Sequence, residues 1–202
     1  MAASPPICEI RLPTYRRPKL LRRALHSVAA QTYPHWRCIV FDDCADGSAR
    51  AMVDELADTR FIYCRNEAPK GAIGNIDQCF RNKPYADGHC AFLLEDDNFI
   101  LPGHIEANLA LCAKWSVELV MSGQACEEVV VPGEPGRLTE TKTIVWIYPE
   151  GLLAPSEVLA AILFSHAFSN GSLFWRIGCK SDFEMGGLTR RPGIQELSLI
   201  HI

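Results

Sequence analysis

Two short apolar runs in this chain stop abruptly at acidic residues, and that pattern narrows the fold more than any other feature. Cys38-Ile39-Val40-Phe41 runs into Asp42-Asp43, and Phe92-Leu93-Leu94 runs into Glu95-Asp96-Asp97-Asn98. Apolar runs of this length, the second followed by a helix-starting Pro102, read as buried strands leaving a sheet into loops. The acids then sit at the strands' carboxyl ends, the edge where open α/β sheets bind ligands. Adjacent carboxylates there are hard oxygen ligands suited to Mg²⁺ or Mn²⁺ carrying a phosphate. A competing reading makes Asp97 and Asn98 a turn, or a cap for the next helix. The repetition favours the ligand-binding edge, because four carboxylates along one edge need a cation or hydrogen-bond donors to be tolerable.

The segments between these runs supply crossovers. Ile7 to Leu12 reads as a first strand, with Pro13-Thr14-Tyr15 as its exit loop. A helix follows, with Pro18 in its first turn and Leu20, Leu21, Ala24, Leu25 and Val28 as its buried stripe. Arg16, Arg17, Lys19, Arg22 and Arg23 read as its solvated face. Trp36 to Phe41 is a second strand, and Asp46-Gly47-Ser48 turns into a helix through Ala57. Phe61 to Cys64 is a third strand, and Lys70-Gly71-Ala72-Ile73-Gly74-Asn75 opens a helix with Ile73, Ile76 and Phe80 inward. This rhythm predicts an α/β fold with a mostly parallel sheet and right-handed crossovers. Beyond the acidic loop a helix is expected from His104 to Ala113 and a strand from Leu119 to Met121. From Cys126 the texture changes: Val129-Val130-Val131 and Thr143 to Ile147 flank a turn rich in proline and glycine, which predicts an antiparallel hairpin. A short helix from Ser156 to Phe164 and a last strand from Ser172 to Trp175 complete the reading.

The 202 residues suffice for one well-cored domain, and the net charge of −4 offers no basic patch for nucleic acid and no polybasic tract for anionic lipid. The partner is therefore expected to be small. Nine cysteines, with no C-x-x-C pair and no metal-finger spacing, suggest reduced thiols in a cytoplasmic protein. The amino terminus has no signal-peptide pattern, and the longest apolar stretch, Val158 to Phe164, is too short for a transmembrane segment. Peripheral membrane association stays open.

Four motifs in order carry a family resemblance. Ile10-Arg11-Leu12-Pro13-Thr14-Tyr15-Arg16-Arg17-Pro18, Ala30-Gln31-Thr32-Tyr33-Pro34, Val40-Phe41-Asp42-Asp43 and Leu94-Glu95-Asp96-Asp97-Asn98 resemble the family 2 glycosyltransferases. The resemblance implies a GT-A fold, which is Rossmann-like, with helices flanking the sheet and a smaller antiparallel acceptor-side part. It also implies a nucleotide-diphospho-sugar donor, a divalent metal (Mg or Mn) and inversion at the anomeric carbon. It gives Pro13, Thr14 and Tyr15 to the nucleobase loop, Asp43 to uracil or ribose, and Asp96 and Asp97 to the D-x-D-like motif. Asp97 is assigned to the metal and Asp96 to the ribose or metal shell, since successive residues of extended chain point opposite ways. Lys70 and Asn75 lie where related enzymes place residues near the nucleotide. The acceptor is expected to be a saccharide, lipid-linked or protein hydroxyl.

The acceptor hydroxyl also needs a base within hydrogen-bond reach. By the same resemblance, Gly186-Gly187-Leu188 followed by Glu196-Leu197 stands where the family carries Gly-Gly-Phe and then Glu-Asp. That makes Glu196 the first candidate, with Asp182 and Glu184 as fallbacks, although Leu197 replaces the family's aspartate. Asn170-Gly171-Ser172-Leu173-Phe174-Trp175 resembles the acceptor-side loop and strand; Trp175 either stacks on an acceptor sugar or belongs to the core. The expected organisation is one GT-A domain over 1–196, with a nucleotide-sugar half at 1–121 and an acceptor half at 122–196. Residues 197–202 resemble translated adapter sequence and read as a non-native tail, which would leave the acceptor side C-terminally truncated. A non-catalytic nucleotide-sugar-binding module or truncated, inactive transferase is the alternative. A sugar-1-phosphate nucleotidyltransferase lacks its Gly-rich phosphate loop here, and a dinucleotide oxidoreductase lacks G-x-G-x-x-G after the first strand.

Overall fold

The computed structural model describes residues 4–128, 137–143, 151–154, 156–157 and 169–178. Strand β1 (Cys8–Thr14) lies between β2 (Trp36–Asp42) and β4 (Cys90–Leu93), and β3 (Phe61–Arg65) pairs outside β2, all parallel. Helices α1 (Pro18–Ala29), α2 (Arg50–Glu55) and α3 (Gly71–Cys79) make the crossovers, and α4 (His104–Trp115) follows β4. The six-stranded order is β3-β2-β1-β4-β8-β5, with β5 at Leu119–Met121 and β8 at Leu173–Arg176. Both β4 and β5 pair antiparallel with β8, so residues from the expected acceptor half complete the sheet of the donor half. An antiparallel hairpin forms from β6 (Gln124–Glu128) and β7 (Arg137–Thr143). Residues 129–131, 144–147 and 158–164 lie outside the described residues.

The structure differs from the sequence reading in four places. First, β1 runs on through Pro13 and Thr14 instead of ending at Leu12. Pro13 is tolerable in a central strand because its nitrogen faces the side of Arg11, whose carbonyl takes the Leu94 N–H, and β4 has already ended there at Leu93. Second, Ile73 is 52% exposed, while Asn75 and Cys79 are the buried residues of α3. Two residues along a helix is about 200°, so a helix that buries Asn75 turns Ile73 outward. Third, Leu20 is largely exposed beside a stripe made of Leu21, Ala24, Leu25 and Val28. Fourth, α2 stops at Glu55, before Ala57 takes a left-handed φ of 48°.

The polar residues of β1 are not a solvated face. Glu9 and Arg11 are fully buried and ion-paired at 2.8 Å. All five guanidinium N–H groups of Arg11 are used, on Glu9 and on the carbonyls of Cys79, Arg81 and Lys83. The other Glu9 oxygen accepts the backbone N–H groups of Tyr85, Ala86 and Gly88. Arg11 also lies 5.0 Å from the Tyr85 ring centroid and 5.6 Å from that of Trp175. This pair fastens the loop between α3 and β4 against the sheet. Gln31 does similar work at the end of α1: its amide donates to the Ser27 and Leu101 carbonyls and its oxygen accepts the Ile105 N–H in the first turn of α4. Among the described residues no helix is long and apolar enough to cross a membrane.

Candidate active site

The carboxyl ends of β1, β2 and β4 meet at one edge, and the predicted acids divide there into two kinds. Asp42 is wholly structural. Its two oxygens accept the Cys44 and Ala49 N–H groups and the Tyr63 hydroxyl, closing the turn into α2. Asp43 reaches across to the start of α3. Its Oδ1 accepts from Asn66 Nδ2 and the Lys70 N–H, both at 2.7 Å, and its Oδ2 accepts the Gly71 N–H at 2.8 Å. Gly71 has a φ of +72°, which sets two successive N–H groups toward the carboxylate as an anion-binding nest. Oδ2 keeps acceptor capacity for a further donor.

The second kind is the Asp96-Asp97 pair after β4. Asp96 is buried; Thr14 donates its hydroxyl to Asp96 Oδ2 at 2.8 Å. Burial pushes the Asp96 carboxyl up from its ordinary range, against the Thr14 hydrogen bond and the positive charge of Arg17. Asp97 is more open. Arg17 Nη1 spans both, at 3.3 Å from Asp96 Oδ1 and 2.8 Å from Asp97 Oδ2. The predicted crowding of carboxylates is therefore relieved by backbone donors at the first pair and by a cation at the second.

The remaining predicted residues fall into place around this edge. Tyr15 is 50% exposed beside Asp96, with the Arg16 guanidinium 5.3 Å from its ring centroid. Asn75 is buried beneath the edge, where its amide donates to the Phe41 and Thr14 carbonyls and its oxygen accepts from Asn66. Lys70 is exposed, its ammonium on Gln78 Oε1. Trp175 is core, packed 5.5 Å from Phe80. Glu196, Asp182 and Glu184 lie outside the described residues. Sequence reasoning missed two contacts: Arg17 on the aspartates, and Asn170 Nδ2 against Glu95 Oε1 at 3.5 Å. The signal for Arg17 was its place two residues after Tyr15 on the same edge as the acids.

Among the described residues no group of three or more His, Cys, Asp or Glu side chains is arranged to hold a metal ion. Asp96 and Asp97 nevertheless suit a hard divalent cation that takes its remaining oxygens from phosphate and water. Arg17, a cation spanning both carboxylates, shows that their joint potential draws positive charge.

Residues 10–133 match the family model described as glycosyl transferase family 2. The chain belongs to this family. Thr14, Tyr15, Arg17, Asp43, Lys70, Asn75, Asp96 and Asp97 all fall inside the matched segment, whereas Asp182 and Glu196 fall outside it. The chain is 26% identical over 114 residues to the Escherichia coli UDP-Glc:alpha-D-GlcNAc-diphosphoundecaprenol beta-1,3-glucosyltransferase WfgD; the match covers 56% of this chain and 44% of that one. Among solved structures, S. aureus TarS 1-349 in complex with UDP-GlcNAc superimposes with a TM-score of 0.58 at 17% identity, over 84% of this chain and 45% of that one. The mannosyltransferase PcManGT from Pyrobaculum calidifontis, in complex with GDP-Man and Mn²⁺, superimposes with a TM-score of 0.52 at 14% identity, over 85% and 44%. These likenesses show a shared fold, the mostly parallel α/β sheet that the GT-A expectation described. The chain spans less than half the length of each of these proteins.

Proposed function

We propose that the chain carries the donor side of an inverting glycosyltransferase, which moves a sugar from a nucleotide-diphospho-sugar to an acceptor hydroxyl with help from Mg²⁺ or Mn²⁺. The observation that carries this reading is the convergence of Thr14, Asp43, Asp96 and Asp97 at one sheet edge in a chain of this family. The nucleotide-sugar names attached to the relatives support the donor class, and the diphosphoundecaprenol in the WfgD name supports a lipid-linked saccharide as acceptor. Residues 1–121 form the donor half and 122–196 the acceptor half, and we place the reaction in the cytoplasm, where the free thiols of the described cysteines would persist.

Each residue has a task that its surroundings suit. Tyr15 offers an exposed ring for stacking on the base. Asp43, fixed by the nest at Lys70 and Gly71, presents Oδ2 to a nucleobase N–H or ribose hydroxyl. Pro13 and Thr14 hold the loop, and Thr14 also orients Asp96 toward the ribose or the metal shell. Asn75 supports from beneath, keeping the ends of β1 and β2 together, and Lys70 stands at the rim of the nest. Asp97 and Asp96 would hold the divalent ion, which when bound supplies positive charge against the departing diphosphate. Glu196, or else Asp182, takes the proton from the acceptor hydroxyl on the face opposite the leaving group. No covalent enzyme intermediate is needed.

Calorimetric titration of the chain with UDP, GDP and dTDP, each with Mn²⁺ and with EDTA, tests this reading. Binding of one nucleotide that depends on metal and is lost in Asp97→Ala is expected. Undiminished binding by Asp97→Ala, or equal binding in EDTA, would sink it.

A further inference from the structure

Arg17 does something for the aspartate pair that the motifs do not account for. It is the N-cap of α1 with non-helical backbone angles, φ −122° and ψ 60°, so its side chain leaves the helical pattern of its neighbours and crosses to the loop after β4. One nitrogen, Nη1, makes both contacts, at 2.8 and 3.3 Å, and the side chain is 45% exposed. A single-nitrogen contact at the surface lacks the parallel fork that makes arginine–carboxylate pairs firm, and water screens it. Arg11 shows the contrast within the same molecule, with every N–H committed and no exposure. Arg17 is therefore held weakly, at the spot where two carboxylates would take a divalent ion.

We infer that Arg17 is a tethered stand-in cation: it neutralises Asp96 and Asp97 before the donor arrives, yields them to the divalent ion, and then pairs with the donor diphosphate. This rests on the metal reading of Asp96 and Asp97 given above. The logic is charge balance. Asp96 is buried, and two adjacent carboxylates without a counter-ion repel each other, so the pair needs positive charge before loading. Loading brings a dication together with a multiply charged diphosphate. The dication satisfies the carboxylates, and the freed guanidinium is left within a side-chain length of phosphate oxygens, which it suits by its fixed donors. In both states the carboxylates keep a cation against them and the guanidinium keeps an anion against it. The left-handed Arg16 beside it, engaged with Cys44 and the Tyr15 ring, leaves Arg17 as the arginine free to make this move.

The arrangement predicts effects of opposite sign from one substitution. Mn²⁺ alone, titrated into the full chain and followed by loss of the free-ion EPR signal, is expected to bind roughly fivefold tighter to Arg17→Gln than to the unmodified chain, because the competing cation is gone. UDP or GDP, titrated at saturating Mn²⁺, is expected to bind Arg17→Gln about tenfold more weakly. Arg17→Lys keeps the charge and should fall between the two in both titrations. A purely structural role would weaken both ligands together and lower the melting temperature, and that result overturns the inference. Equal Mn²⁺ affinity in the unmodified chain and Arg17→Gln overturns it alone, leaving the metal reading intact; no Mn²⁺ binding by either protein overturns both.

Discussion

Asp43 and Asp97 are the same residue type at the same edge of the sheet, one step past β2 and four past β4, yet they have opposite standing in the fold. Asp43 is buried and gathers the Asn66 amide and the two backbone N–H groups of Lys70 and Gly71. Asp97 is partly open, and its ion pair with Arg17 is a surface pair. Asp43→Ala is expected to destabilise the chain by about 2–4 kcal/mol, since three hydrogen bonds to a charged group are lost where the end of β2 meets the start of α3. Asp97→Ala is expected to change stability by less than about 1 kcal/mol. Urea unfolding of both variants checks this, and an equal loss in the two would show that Asp97 is as structural as Asp43. The sequence made the acids visible as a repeated motif, but their donors come from Asn66, Lys70 and Gly71, far along the chain, so no spacing rule could sort the structural aspartate from the open one. Arg17 was read as a helix-surface charge because a helical wheel was applied to it; an N-cap residue has non-helical backbone angles, and the wheel does not describe it.

At the scale of elements, the strands of the parallel core were legible because each is a short apolar run bounded by turn residues, and Leu119–Met121 falls where the pattern placed it. What a pattern of types could not show is that β1, between β2 and β4, is covered on both faces, so its alternating Glu9 and Arg11 mark an internal ion pair, not a solvent face. That pair holds the whole segment from Cys79 to Gly88. Arg11→Met is expected to cost about 3–5 kcal/mol, because the buried Glu9 carboxylate and Cys79 carbonyl lose their partner away from water, and the Arg81 and Lys83 carbonyls lose theirs nearer the surface. Gly88 presses on the same pair: a Cβ there would lie 2.4 Å from Glu9 Cγ. Gly88→Ala should therefore destabilise by about 1–3 kcal/mol through forced displacement of Glu9. Thermal unfolding measures both, and a neutral Gly88→Ala would mean that the 80–88 loop yields without disturbing the pair.

At the scale of the whole molecule, the rhythm of alternating strands and helices specified a parallel sheet, but not where the chain's later residues rejoin it. β8 falls where a last strand is expected, but it enters antiparallel between β4 and β5, bringing Asn170 beside Glu95, and periodicity does not say which neighbours a strand from so far along the chain takes. α4 is packed against this sheet through His104, whose ring lies 4.9 Å from Phe92 and whose Nε2 is 3.4 Å from the Asn108 amide. Burial lowers the His104 pKa from 6.5 to about 4, so the folded protein holds the ring neutral. The unfolded chain takes up a proton near pH 6.5 while the folded one resists until about 4, so stability falls as the pH drops through that window. From these two values His104 alone should remove about 2 kcal/mol between pH 7.5 and pH 5. The comparison that isolates it is the difference in unfolding free energy between the unmodified chain and His104→Gln at the two pH values, since the carboxylates titrate alike in both. His104→Gln is expected to lose about 2 kcal/mol less on acidification; a parallel loss would mean that the ring accepts its proton without leaving the sheet, and that α4 is not the element that gives way in acid.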